Sequence, residues 1–167
     1  MIRWLSLAFA LLLAGCAQHA PLPSAMPSLS TPMQLHIQRE QGHASQLSTQ
    51  DWLLVIQQEG AALRWSLIDP LGIPLSRQLL REGEWSNDGL LPPNPEAREL
   101  FAVLLFALTP EGELASRYPA KDYRSDDPER HLQQRWKITY RSAQDFTLES
   151  ADLRYRVTPL DSESAAP

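Results

Sequence analysis

Hydrophobic and polar residues alternate along much of the chain between residues 33 and 160. A period of two is typical of strands that bury one face, because successive side chains point to opposite sides of a sheet. The clearest alternating runs lie at 33–38, 63–67, 136–141 and 153–158, and further apolar runs lie at 52–56, 73–81 and 146–150. Together these runs predict at least seven strands.

One segment departs from this alternation. Asn94, Pro95 and Glu96 supply a capping side chain, a proline suited to the first helical turn and an acid near the helix N-terminus. The residues at 100–108 are apolar nearly all round, so a helix there must be buried on more than one side. We therefore predict a mainly β (α+β) fold, a curved antiparallel sheet or open half-barrel with this apolar helix as a plug or lid.

The N-terminus has the pattern of a secretory signal. Arg3 precedes a short apolar run at 5–13, and Leu13-Ala14-Gly15-Cys16 resembles the bacterial lipobox. The resemblance implies a signal peptide at 1–15 and a Cys16 that carries S-diacylglycerol and an N-acyl chain such as palmitate. Ala17 stands where aspartate would act as an inner-membrane retention signal, so we expect an outer-membrane anchor facing the periplasm.

The rest of the chain divides by composition. Residues 16–32 are rich in proline and serine, and we expect them to form a tether that does not pack. Residues 33–160 are expected to form one β domain, and 161–167 a disordered tail. The net charge is −5, with no basic block, so nucleic acid is not an expected partner.

The chemistry-bearing residues do not assemble into a recognisable reaction centre. The histidines are His19, His36, His43 and His131, and no pair has the spacing of metal ligands on a helix face. The acidic residues at 126–129 are expected to form a solvated turn. We expect no enzyme, no catalytic residue, no metal and no cofactor beyond the acyl groups on Cys16.

The aromatic residues leave two interpretations of the interior open. It is either an ordinary solid core or a concave sheet that accepts an acyl chain beside the helix. The candidate cavity-lining residues on strands and helix are Leu63, Trp65, Leu67, Phe101, Leu104, Phe106, Trp136, Ile138 and Tyr140.

Three short motifs resemble the LolB family of outer-membrane lipoprotein receptors. The turn Asp69-Pro70-Leu71-Gly72 lies between two strand patterns, Trp136, Lys137 and Tyr140 match a strand motif of that family, and 146–160 matches its closing hairpin. The resemblance implies the LolA/LolB-like fold, an open barrel with a helical lid over an apolar cavity. It also implies that Leu71 protrudes and enters the membrane, unless this leucine folds back onto its own sheet.

The same resemblance implies a function in transport. It suggests a chaperone-like protein that takes acylated cargo from a periplasmic LolA-like carrier and passes it to membrane lipid. We expect a monomer, because the sequence has no coiled-coil pattern that would indicate assembly. The chain lacks the polar N-terminal helix of that family and is nearer in length to LolB-like lipoproteins associated with aryl-polyene pathways. The alternative is a structural or accessory envelope lipoprotein with a solid barrel that binds a protein partner. An apolar groove would favour transfer, and a filled interior the alternative.

Overall fold

The computed structural model describes residues 19–42 and 47–160. The predicted signal peptide, the predicted lipidation site Cys16, His43 and the predicted tail at 161–167 lie outside the described residues. No helix in the described part of the chain is long and apolar enough to cross a bilayer.

The described residues form one curved, unclosed antiparallel sheet of ten strands with two short helices, which confirms the mainly β expectation. The strands are β1 Met33–Gln41, β2 Ser48–Glu59, β3 Ala62–Ile68, β4 Pro74–Arg81, β5 Glu84–Asn87, β6 Tyr123–Asp126, β7 Glu129–Leu132, β8 Trp136–Ser142, β9 Asp145–Ser150 and β10 Leu153–Pro159. The helices are α1 Pro95–Leu108 and α2 Glu111–Arg117. The strand order is β5-β4-β3-β2-β1-β10-β9-β8-β7-β6, so β5 and β6 are the edges.

Each of the alternating and apolar runs predicted as strands forms a strand. The sequence did not predict β5, β6, β7 or α2. These elements are only four to seven residues long and carry charged residues at several positions, so their hydrophobic pattern is weak. The acidic residues expected in a solvated turn form the β6–β7 hairpin, in which Asp126 pairs with Glu129.

Helix α1 begins and ends as its sequence predicts. The Asn94 side chain accepts a hydrogen bond from the Ala97 N–H (3.0 Å), and Pro95 occupies the first turn. Nine of its fourteen residues are buried, including the whole run Leu100–Ala107. The helix is therefore enclosed on more than one side, as its composition requires.

The antiparallel order places the connections between strands at two opposite edges of the sheet. We call the edge with the β3–β4 loop the Leu71 rim. The Leu71 rim also carries the β1–β2, β7–β8 and β9–β10 connections. The chain between β5 and α1 leads to the same rim. The opposite rim carries the β2–β3, β4–β5, β6–β7 and β8–β9 connections.

Helix α1 runs from the Leu71 rim to the opposite rim. At its start, Asn94 Nδ2 donates to the carbonyl of Leu75, the second residue of β4 (3.3 Å). At its end, the Tyr140 hydroxyl donates to the carbonyl of Ala107 (2.8 Å). Both ends of the helix are thus tied to the sheet.

The proline-rich segment differs from the free tether expected from its composition. Residues 19–32, which we call the strap, lie against the domain although they form no helix or strand. The Ala20 N–H donates to the Glu99 carboxylate (3.0 Å), and the Ser24 N–H donates to the Arg117 carbonyl (2.8 Å). The Ser28 N–H donates to the Glu113 carboxylate (3.2 Å). Ala20 belongs to the buried core cluster, and three further apolar residues of the strap pack against that cluster while partly buried: Leu22, Met26 and Leu29.

Candidate functional site

The predicted cavity-lining residues come together around α1, and they fill the interior rather than line an open space. Eight of the nine are at most 2% exposed, namely Leu63, Trp65, Leu67, Phe101, Leu104, Phe106, Trp136 and Ile138. Tyr140 is partly exposed. Helix α1 occupies the concavity of the sheet, so the described structure has a packed core where the sequence allowed a cavity.

An aromatic cluster forms the centre of this core. The Trp65 ring lies 5.6 Å from Trp85 and 5.4 Å from Phe101, and Trp85 lies 5.8 Å from Phe101. The indole N–H groups of Trp65 and Trp85 are sealed from solvent and have no acceptor among the described residues. A buried donor without a partner costs about 1–3 kcal/mol, so this cluster holds two donors that an added acceptor would stabilise.

Polar contacts fasten the first half of α1 at the Leu71 rim. Glu96 forms an ion pair with Arg39 and accepts a hydrogen bond from the Tyr155 hydroxyl (2.7 Å). Burial, together with that bond, raises the pKa of Tyr155 above its usual range, so the phenol stays a donor. Glu99 accepts from the Trp136 indole N–H (3.0 Å) and the Ala20 N–H, and it also pairs with Arg135 (3.2 Å).

A buried cation fastens the other end of α1. The Arg130 guanidinium donates to the Thr109 carbonyl (2.8 Å) and to the carbonyls of Phe106 and Ala107, and it pairs with Glu111 (2.8 Å). A cation there complements the negative end of the helix dipole. The guanidinium N–H groups satisfy carbonyls at the C-terminal end of α1, which have no N–H partner from a following helical turn.

A cleft opens beside this cation at the opposite rim. Its volume is about 770 Å³, within the usual range for small-molecule sites. Its apolar lining comes from Leu29 and Met33 of the N-terminal part and Leu108 of α1, and Arg130 and Glu111 supply charge. Of the nine predicted cavity residues, Tyr140 alone borders the cleft, and burial raises the pKa of its phenol.

The turn that carries Leu71 is held by its own polar groups. Asp69 Oδ1 accepts from the N–H groups of Leu71 (2.9 Å) and Ile73 (2.8 Å), and the Asp69 carbonyl accepts from Gly72 (3.0 Å). Gly72 adopts a φ of +83°, which favours glycine. The Leu71 side chain is 85% exposed, so it does not fold back onto the sheet and takes no part in holding the turn.

Further exposed apolar side chains share the Leu71 rim. Ile73 lies in the same loop, Leu47 precedes β2, and Leu90 lies fully exposed between β5 and α1. Of the exposed large hydrophobic residues in the described chain, Leu160 alone lies at the opposite rim. Four of the five exposed large hydrophobic residues of the described chain therefore lie at one rim of the sheet.

Two of the described histidines, His36 and His131, lie beside carboxylates on the surface. His36 lies 2.9 Å from Asp51, His131 lies 3.8 Å from Glu129, and Glu129 also contacts Lys137 (2.7 Å). No group of three or more potential metal ligands is present in residues 19–42 and 47–160.

Sequence reasoning missed the residues that hold α1 and the strap. Arg130 lies in a four-residue strand whose pattern gave no signal, and its carbonyl partners are 21 to 24 residues away. Glu99 joins the strap, α1 and β8 in the structure, a role that no local sequence pattern indicates. Leu90 lies in no sequence motif.

Compared with models of known protein families and with curated protein sequences, the chain matches none.

Proposed function

We propose that this protein is a lipoprotein of the bacterial outer membrane that accepts acyl-chain cargo and passes it into the bilayer at the Leu71 rim. The observation that carries the proposal is Leu71, a large apolar side chain held outward by a turn that does not need it. Moving a leucine side chain from water into acyl chains gains about 1.5–3 kcal/mol. The resemblance to the LolB family supports the same role.

In this proposal the structure is the closed, unloaded form. The middle of α1 meets the sheet only through apolar side chains, so an acyl chain could take its place there. The polar contacts at the two ends of the helix, chiefly those of Glu99 and Arg130, would have to break for the helix to withdraw. The unpaired indole N–H groups of Trp65 and Trp85 would gain an acceptor from an ester carbonyl of the cargo. We propose that α1 withdraws towards the Leu71 rim as the chain enters from the cleft beside Leu108.

The remaining parts of the proposal follow from the N-terminal motif. Cys16 would carry the lipid anchor after removal of the signal peptide, and the domain would face the periplasm. A soluble LolA-like carrier would deliver the cargo, either a lipoprotein or another acylated lipid. Transfer between two apolar cavities needs no catalysis and no fuel, only a better fit in the acceptor.

The filled interior supports a second candidate function. Eight predicted cavity residues are packed against one another and against α1. A barrel that stays solid would serve as a structural or accessory envelope lipoprotein that binds a protein partner. In that role α1 would be an ordinary core helix.

Cargo binding by the soluble domain separates the two candidates. Cys16→Ala, secreted with a cleavable signal and purified from the periplasm of its native host, should carry a stoichiometric acylated lipid detectable by mass spectrometry. It should also take up a fluorescent long-chain fatty acid. Leu71→Ala in the same background should load equally well but deliver the probe to phospholipid vesicles more slowly. A protein that is empty in repeated preparations and takes up no probe overturns the proposal and leaves the solid-barrel lipoprotein.

A further inference from the structure

The strap and the exposed leucines meet at the same rim of the sheet. The strap begins at the Leu71 rim, where Ala20 is bound to Glu99 beside Trp136, the first residue of β8. It ends at the opposite rim, where Leu29 and Met33 line the cleft. The chain that leads to Cys16 therefore leaves the domain at the rim that exposes Leu71, Ile73 and Leu90.

Docking of the strap changes the length of the free tether. If all residues from Cys16 to Met33 were free, the tether could span about 60 Å. With Ala20 bound, three residues lie between the anchor Cys16 and the domain, and the four steps from Cys16 to Ala20 span about 14 Å at most. The polar headgroup layer on each side of a bilayer takes up about 5–7 Å of that distance.

We propose that the strap is an orienting device, which holds the Leu71 rim against the bilayer in which Cys16 is anchored. The partner of this rim is the lipid bilayer, and Leu90 and Leu47 are additional contacts with it. This inference rests on the proposed function in that it needs the lipid on Cys16. A domain held within about 10 Å of the headgroups keeps its exposed leucines next to acyl chains rather than in free solution.

Three backbone donors make the docking testable without a membrane. The N–H groups of Ala20, Ser24 and Ser28 donate to Glu99, the Arg117 carbonyl and Glu113. In the soluble Cys16→Ala protein, these amides should exchange with deuterium at least about tenfold more slowly than in a free chain. Exchange at free-chain rates overturns the inference.

The orientation is measured on the lipidated protein. Because Cys16 is the only cysteine and its sulfur would carry the lipid, one added cysteine can be labelled selectively. A fluorophore on Leu90→Cys should be quenched by nitroxide-labelled lipid in phosphatidylethanolamine–phosphatidylglycerol vesicles. The matched label on Ala143→Cys, exposed in the β8–β9 turn of the opposite rim, should not be quenched. Equal quenching of the two labels overturns the inference.

A strap variant connects the orientation to the docking. Ala20→Pro, Ser24→Pro and Ser28→Pro together remove the three N–H donors while keeping an extended chain. The difference between the two labels should then be lost. Ala20→Ser, Ser24→Ala and Ser28→Ala keep the donors and should preserve it. A proline variant that stays oriented overturns the role of the strap.

These outcomes are distinguishable from failure of the proposed function. Loss of acyl-probe uptake with quenching confined to the Leu90 label refutes cargo transfer and supports the orienting strap. Uptake of the acyl probe together with equal quenching of the two labels supports cargo transfer and refutes the orienting strap. An unmodified Cys16 thiol in the mature protein, seen by mass spectrometry of the N-terminal peptide, overturns both.

Discussion

Replacing Phe101 tests how firmly α1 is packed into the sheet. Phe101 is fully buried, and its ring lies 5.4 Å from Trp65 and 5.8 Å from Trp85. Truncation of a buried phenylalanine to alanine costs about 3–5 kcal/mol. Each aromatic contact is worth about 0.5–1.5 kcal/mol beyond burial, so we expect Phe101→Ala to lie in the upper half of that range.

The free energy of unfolding is measured by urea denaturation of the soluble Cys16→Ala domain, with and without Phe101→Ala. A loss of about 4 kcal/mol should lower the melting temperature by about 10–20 °C in a domain of this size. The slope of the unfolding free energy against urea should stay unchanged, since the same surface is exposed on unfolding.

Leu90→Ala is the matched control, because Leu90 is fully exposed and its truncation should change stability by less than about 0.5 kcal/mol. A loss below about 2 kcal/mol for Phe101→Ala would contradict the packing described above. It would mean that the aromatic cluster is not tightly closed around α1 in solution.

Three further changes test other parts of the structure. Leu71→Ala should change the free energy of unfolding in urea by less than about 0.5 kcal/mol, yet weaken binding of the soluble domain to phospholipid vesicles. Equal vesicle binding of the variant and its parent in a sedimentation assay would contradict a membrane role for the turn. Arg130→Met should cost about 1–3 kcal/mol, because it leaves the carbonyls at the end of α1 without their donor, whereas the exposed Glu111 carboxylate is solvated by water. Arg130→Lys should cost less, and thermal unfolding that does not separate the two variants would refute this reasoning. The hydrogen bonds from Ser28 hold the pKa of the Glu113 carboxyl below its ordinary value, so this contact stabilises the docked strap above about pH 4.5 and is lost as the pH falls through the lowered pKa. The protection factor of the Ser28 amide, which compares its exchange rate with that of a free chain at the same pH, should therefore fall at acid pH. A protection factor that is unchanged down to pH 3 would show that the carboxylate does not hold the strap.

The sheet and α1 could be predicted because their signals are local. Alternation at 63–67 and 136–140 follows from one face being buried, and the cap at Asn94 is encoded within four residues. The buried set around Trp65 and Phe101 follows from the same pattern. What the pattern could not specify was whether those side chains enclose a space or fill one, because this depends on where α1 lies in the concavity.

The strap could not be predicted because its stabilising partners are remote in sequence. Proline-rich chain is extended whether it is docked or free, and composition alone does not distinguish the two. The acceptors for Ala20 and Ser28 are Glu99 and Glu113, which lie 79 and 85 residues away. Likewise Arg130 has no local partner that would identify it as a buried cation before the fold is known.

The unclosed sheet has a mechanical consequence. Strands β5 and β6 are the two edges and share no ladder hydrogen bonds, so a gap runs along one side of the half-barrel. The curvature of the sheet can change at this gap without breaking any backbone pairing, unlike in a closed barrel, where widening must rupture a ladder. The stiffness of the domain against such widening is therefore set by the side chains that tie α1 to both sides of the gap. Arg98 of α1 donates to Gln78 of β4 and Asn87 of β5, and Arg130 of β7 donates to the carbonyls at the end of the helix.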